Sequence, residues 1–222
     1  MFDAPTNAFL CVAAAASATA CILGSLKQRP PIVYVFKPFT MLLILALAIQ
    51  AGEDTEPAYR VLVVTGLLLS LAGDVFLMLP RDRFTAGLAS FLAAHLVYVA
   101  AFATAGPLLT LIPWLCVALP FYAFLYPVLG RMRTPVAVYV AAIVAMAWQA
   151  TNRWLAQDEF SALLALVGAG LFVFSDAALA WNRFRRPFPG AQAVVLSTYF
   201  AGQCGIALSV GAGEGLAGWL VR

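Results

Sequence analysis

The chain has 222 residues, of which 64% are hydrophobic and only 10% charged, and its mean hydropathy is +0.93. A soluble domain carries about 25% charged residues, so this sequence has too little polar surface to cover a globule in water and reads as an integral membrane protein. The net charge of +3 is no nucleic-acid footprint, because the basic residues gather in short loops.

Apolar runs separated by Pro, Gly and charge clusters predict an all-α, polytopic bundle of eight transmembrane helices. They fall near 8–26, 32–51, 61–80, 84–105, 108–129, 135–152, 160–181 and 191–212, in one domain over 1–222. The first span is no signal peptide, because Asp3 precedes it and Lys27 and Arg29 follow, the reverse of a signal's charge order. Span two carries Lys37 and span three carries Asp74, in LAGDVFLMLP. Span four places His95 and Tyr98 on one face with Phe91 and Gly87, nearer mid-membrane. In span five, Pro113, Pro120 and Pro127 predict kinks, with Tyr122 and Tyr126 alongside. Span seven holds FVFSDAALAWNRF, with Ser175, Asp176, Asn182 and Arg183. Tyr199 and Gln203 on span eight are four apart and share a face. A short tail, EGLAGWLVR, ends the chain. The four cysteines (Cys11, Cys21, Cys116, Cys204) lie in apolar segments without CxxC spacing and read as buried free thiols. With a single histidine, no zinc site is expected.

Loop charges give the direction. Odd-numbered loops contain KQR, RDR, RMR and RFRR, nine Lys or Arg in all, against Arg60, Arg153 and Arg222 on the other side. The positive-inside rule then places the odd loops in the cytoplasm and both termini outside. Seven of the ten acidic residues, Glu53, Asp54 and Glu56 among them, fall on that outer side.

Three ionisable residues remain inside the spans: Lys37, Asp74 and Asp176. A charge at a helix centre costs roughly 2.5 to 3.5 kcal/mol on insertion scales. At about 1.5 Å rise per residue, all three lie roughly 7–10 Å below the cytoplasmic interface, with Ser70 one turn from Asp74. Lysine alone could snorkel, His95 could be a satisfied interhelical bond, and the tyrosines could simply pack. Two intramembrane carboxylates at one depth point to function. Close carboxylates do not easily both ionise, so one would hold a proton and the other stay ionised, giving a general acid and a general base. The physical reading ends at two alternatives, a membrane hydrolase acting on a lipid from the inner leaflet or a proton-coupled carrier.

Several stretches occur in a familiar order: KPFTMLL (37–43), GDVFLML (73–79), F-x-x-G-x-x-x-F-x-x-x-H-L-x-Y (84–98), SD…NRF (175–184) and TYFAGQ (198–203). Together they resemble the lysoplasmalogenase, or YhhN-like, family of eight-span membrane proteins. Phe200 and Gly202 depart from that family's Tyr-Tyr-x-Ala-Gln pattern. The resemblance implies hydrolysis of the vinyl ether of lysoplasmalogens, releasing fatty aldehyde and glycerophosphoethanolamine or glycerophosphocholine. It assigns catalysis to Asp74 and Asp176. The polar residues read along the spans, Lys37, Ser70, His95, Tyr98, Tyr126, Ser175, Asn182, Arg183, Tyr199 and Gln203, are the candidate substrate-binding set. Lys37 would either tune the aspartates or bind the lipid phosphate, and no cofactor or metal is required.

Three rivals use the same features. A transporter would carry protons or cations on the aspartates, although spans three and seven run parallel and form no inverted repeat. An intramembrane aspartyl protease would resemble Gly-x-Gly-Asp, where this chain has Leu71-Ala72-Gly73-Asp74. A lipid-binding assembly factor would need neither carboxylate. The expected partners are a lysophospholipid and the membrane lipids, the expected location is a bacterial inner membrane, and the residues set no oligomeric state.

Overall fold

A computed structural model describes residues 4–50, 56–80 and 83–211. These form eight α-helices and, among the described residues, no strand: α1 (Ala4–Leu26), α2 (Pro30–Gln50), α3 (Pro57–Met78), α4 (Phe84–Phe102), α5 (Ile112–Leu125), α6 (Arg133–Gln157), α7 (Phe160–Ala180) and α8 (Ala191–Leu208). With the short 3-10 turns at 108–111 and 126–128 that extend α5, all eight are long and apolar enough to cross a membrane. Helices are the open-ended solution there, because every backbone N–H and C=O is satisfied within the segment. Asp3, Glu53, Asp54, Arg81, Asp82, Arg222, the last residue of the eighth expected span and the EGLAGWLVR tail lie outside the described residues.

Several helix ends differ from those expected, each for a local reason. α2 starts at Pro30 rather than after the Pro pair, because proline in a first turn forfeits no intrahelical hydrogen bond. α6 runs on to Gln157 and stops where Asp158 takes a left-handed conformation (φ 50°). Arg153, which reads as a boundary, stays helical with its guanidinium 4.1 Å above the ring of Tyr59.

The most extensive pairings are α7 with α8, α3 with α4, and α1 with α2. Small residues let the backbones close, as membrane interfaces require in the absence of a strong hydrophobic drive between helices. At the α7–α8 crossing, a Cβ placed on Gly168 would lie 2.7 Å from the Gly202 carbonyl oxygen, and one on Gly202 would lie 2.8 Å from that of Gly168. In α3, Gly66 seats the Tyr98 ring and Gly73 the Phe91 ring of α4. Hydroxyls pin other pairs: Ser17 and Thr40 join α1 to α2 at 2.7 Å, and Ser175 donates to the Val195 carbonyl across α7 and α8 at 3.0 Å.

The exception is α5, which buries only Leu125 of its 14 residues. Its position also corrects the expectation of four buried thiols. Cys21 is buried and Cys11 and Cys204 are half-buried, but Cys116, on α5, is exposed.

The glycine crossing makes a stability prediction. Gly202→Ala forces α7 and α8 apart and should cost about 1–3 kcal/mol, lowering the thermal unfolding midpoint in detergent. Gly170→Ala, whose added carbon would meet only the Trp114 ring at 3.8 Å, should leave it unchanged. Equal midpoints for the two variants would remove the crossing as the constraint.

Candidate active site

Asp74 sits on the last full turn of α3 and is 1% exposed. The Lys37 amine, from α2, reaches its Oδ1 at 2.8 Å. The Tyr199 hydroxyl, from α8, donates to its Oδ2 at 2.7 Å. Three helices thus meet at one carboxylate, and both of its oxygens are engaged. Lys37 is itself buried, so it pairs inward instead of snorkelling.

Asp176, near the end of α7, has different company. The hydroxyl of Tyr139 on α6 donates to its Oδ2. His95 Nε2, from α4, lies 3.8 Å from the same oxygen, beyond hydrogen-bond reach. The histidine ring is fully buried and packs edge-on against Tyr139 and Phe172, with centroids 5.0 and 4.7 Å away. Neither of its nitrogens has a hydrogen-bond partner among the described residues.

Both carboxyl groups line one cavity of about 550 Å³. Its walls come from the first half of α2 (Tyr34, Lys37), the end of α3 (Asp74, Leu77) with Pro80 beyond it, Arg83 and the start of α4 (Phe84), the end of α7 (Ser175, Asp176) and the first half of α8 (Gln192, Tyr199). The cavity therefore opens at the arginine-rich end of the bundle. The residues after α7 help to shape it. Trp181–Arg185 form a single π turn, a widened helical turn found often at functional sites. It brings Asn182 and Arg183 to the cavity wall. Asn182 Oδ1 accepts the Phe188 N–H at 3.3 Å, and the Arg183 guanidinium lies 4.9 Å over the Phe84 ring. Beneath the carboxylates, Phe91, Phe172 and Tyr199 pack edge to face, with centroids 5.5–6.0 Å apart.

The structure thus gathers Lys37, Asp74, Ser175, Asp176, Asn182, Arg183 and Tyr199 around one space. It leaves five of the expected site residues off that wall. Gln203 lies one turn deeper than Tyr199 and accepts the Tyr98 hydroxyl at 2.8 Å. Ser70 is buried one turn below Asp74, and His95 stands behind Asp176. Tyr126 is 45% exposed under the Arg133 guanidinium, and Tyr122 donates to the Arg133 carbonyl at 3.0 Å. Sharing a helix face did not keep Tyr199 and Gln203 together, because a 5–6 Å step along α8 carries the second below the cavity floor.

Tyr139 is the functional candidate that sequence reasoning missed. It lies on the buried stripe Val136, Tyr139, Ile143, Met146 and Ala150 of α6. A tyrosine on such a stripe needs a partner for its hydroxyl, which was the available signal. Arg83 counts in the sequence only as a loop charge, and Gln192 carries no signal there.

The two carboxyl groups are chemically unequal. One is held between a cation and a phenol, and the other has a phenol donor and faces the cavity. Such an arrangement can hold a proton on one side and a charge on the other, the division that acid–base chemistry uses. Three cations line the same space: Lys37, Arg83 and Arg183. Among the described residues, no cluster of three or more potential metal ligands forms.

Comparison with known proteins agrees with this architecture. The model of the YhhN family matches residues 32–210. The uncharacterized membrane protein YhhN of Escherichia coli is 34% identical over 197 residues, covering 87% of this chain and 92% of that protein. Lysoplasmalogenase TMEM86B of Sus scrofa is 35% identical over 178 residues, 78% of this chain and 72% of the relative. The human lysoplasmalogenase TMEM86B is 38% identical over 159 residues, 68% and 64% of the two chains. No solved structure matches. The sequence motifs, the eight spans and the matched length lead to one conclusion: this membrane protein belongs to the YhhN family.

Proposed function

We propose that the protein is a lysoplasmalogenase-like membrane hydrolase that cleaves the vinyl ether of a lysoplasmalogen by acid–base chemistry of Asp74 and Asp176. The observation that carries this reading is the pair of unlike carboxyl groups on one cation-lined cavity. The relatives named lysoplasmalogenase support the substrate class.

A vinyl ether resists bases and nucleophiles until its β-carbon is protonated. Asp176 is the acid in this reading, since among the described residues no lysine or arginine is paired with it and the Tyr139 hydroxyl occupies Oδ2, leaving Oδ1 to carry the proton. Transfer of that proton to the β-carbon makes the C–H bond and leaves an oxocarbenium ion at the α-carbon. Water adds to the α-carbon, and its released proton returns to the Asp176 carboxylate. The resulting hemiacetal loses the glycerol oxygen as an alcohol, giving a fatty aldehyde and glycerophosphoethanolamine or glycerophosphocholine. Asp74, kept ionised by Lys37 and Tyr199, supplies the negative field that stabilises the cation. Arg83 and Arg183 at the mouth suit the lipid phosphate. By the positive-inside rule, that mouth faces the cytoplasm and draws substrate from the inner leaflet of a bacterial inner membrane.

The first check is aldehyde release from lysoplasmalogen by the purified protein. Asp176→Asn should lower the rate on the order of 10²–10⁴-fold, the usual worth of a positioned proton donor, in a protein that still melts normally. Parent-like activity in that variant would sink the assignment. The ion pair predicts a second pattern. Lys37→Met strands a buried carboxylate and should destabilise by about 3–5 kcal/mol, while Lys37→Met combined with Asp74→Asn recovers most of the loss without recovering activity. Additive losses would mean that the two side chains are not energetically coupled. For orientation, a membrane-impermeant maleimide on intact cells, with Cys116 removed, should label Glu159→Cys and spare Arg131→Cys. The opposite pattern would invert the topology.

A further inference from the structure

A second cavity, of about 160 Å³, lies between α5, α6 and α7 and touches the first. The two share Leu77, Phe84, Phe91, Asp176 and Leu179, so Asp176 is the one ionisable side chain that faces both. Their walls differ in character. The first mixes apolar residues with cations, amides and carboxylates, whereas the second is hydrocarbon apart from Trp114, Tyr139 and Asp176. We propose that this groove binds the hydrocarbon chain of the lipid substrate, with the carbons next to the ether beside Asp176 and the phosphate in the cationic cavity. The inference rests on the lipid-substrate reading above and assigns that site its second half.

Length and direction support it. The α5 wall consists of Trp114, Val117, Ala118, Phe121 and Leu125, one face of the helix. At about 1.5 Å per residue, Trp114 to Leu125 spans roughly 16 Å, close to half of the ~30 Å hydrocarbon thickness. The Leu125 end is the arginine-rich one, where the Arg185 guanidinium donates to the Phe124 carbonyl at 2.8 Å. From there the groove runs inward, away from the charged mouth. A lipid standing in one leaflet has this same order, head group at the interface and chain toward the midplane.

Size sets what the groove can select. Its volume of about 160 Å³ is near the roughly 150 Å³ of a cavity that takes up benzene, enough for about half a dozen carbons. The remaining chain must lie along α5, where Val117 is 66% exposed. That helix is the least buried of the bundle and contains Pro120, which removes a backbone hydrogen bond. The site therefore discriminates at the carbons nearest the ether and tolerates wide variation in total length.

The test uses a saturated 1-O-alkyl lysophosphocholine, which this chemistry cannot cleave, carrying a diazirine a few carbons from the ether. On irradiation with the protein in nanodiscs, label should fall on Val117, Phe121, Val140 or Ile143. Ala118→Trp and Val140→Trp should each reduce it about tenfold, a loss of ~1.4 kcal/mol of binding, with Val138→Trp on the exposed face of α6 unchanged. Ala118 and Val140 are only half-buried, so the larger rings fill the groove without overpacking the core. Label confined to the outer surfaces of other helices, or indifferent to both substitutions, would overturn the chain site. So would a dimer cross-linked through α5 that excludes the probe, since a second copy would then be the occupant. Because the probe is not hydrolysed, the two readings separate. Groove labelling without aldehyde release from the alkenyl lipid refutes the reaction alone. Aldehyde release without groove labelling refutes the chain site alone.

Discussion

Much of the bundle is arranged around a single ion pair in a place where charge is expensive. Lys37 and Asp74 meet at 2.8 Å with almost no exposure, and neither could stand in hydrocarbon without the other. Pairing alone would leave one carboxylate oxygen unmet, and the Tyr199 hydroxyl fills that need. The contact therefore fixes α2, α3 and α8 to one another at one depth. Once these are fixed, the close α7–α8 crossing through Gly168 and Gly202 carries Asp176 to the same layer. The glycines are thus as much a part of the site as the carboxylates, because a larger side chain there would change the spacing of the two acids.

Inequality between the two aspartates follows from which helices they can reach. Asp74 faces the lysine-bearing α2, while Asp176 faces α6, whose buried stripe offers a phenol and no cation. Each carboxyl group receives one tyrosine, so the difference between their surroundings rests on Lys37. The cavity above them is polar on the arginine-rich side and apolar beneath α5. A substrate that is itself half charged and half hydrocarbon matches that division.

Hydropathy made the eight spans legible, since backbone satisfaction in lipid leaves few alternatives to helices. The expense of an intramembrane charge made Asp74, Asp176 and Lys37 legible for the same reason. What stayed hidden depends on side-chain direction. Tyr139 looks like any aromatic in an apolar run until α6 is turned to face α7. The Tyr98 hydroxyl donates to Gln203 Oε1 below the cavity, a pairing that no spacing along either helix reveals. The π turn after α7 is invisible to a helical period, yet it brings Asn182 and Arg183 to the wall. The prolines at 30–31 and Arg153 each made a helix read too short, because proline is harmless in a first turn and an arginine stacked on Tyr59 can remain within the helix.

The edge-to-face cluster of Phe91, Phe172 and Tyr199 has a consequence for the cell as well as for the site. A cavity that carries carboxyl groups and reaches part-way through a membrane protein would, if it continued to the other side, be a path for protons. The three rings close its inner end, with fully buried Phe172 one turn deeper than Asp176. Below them, the Tyr98 hydroxyl is turned onto Gln203 Oε1. The polar end of the cavity is thereby closed off from the middle of the bundle, so the proposed acid–base chemistry would be open to water from one side only.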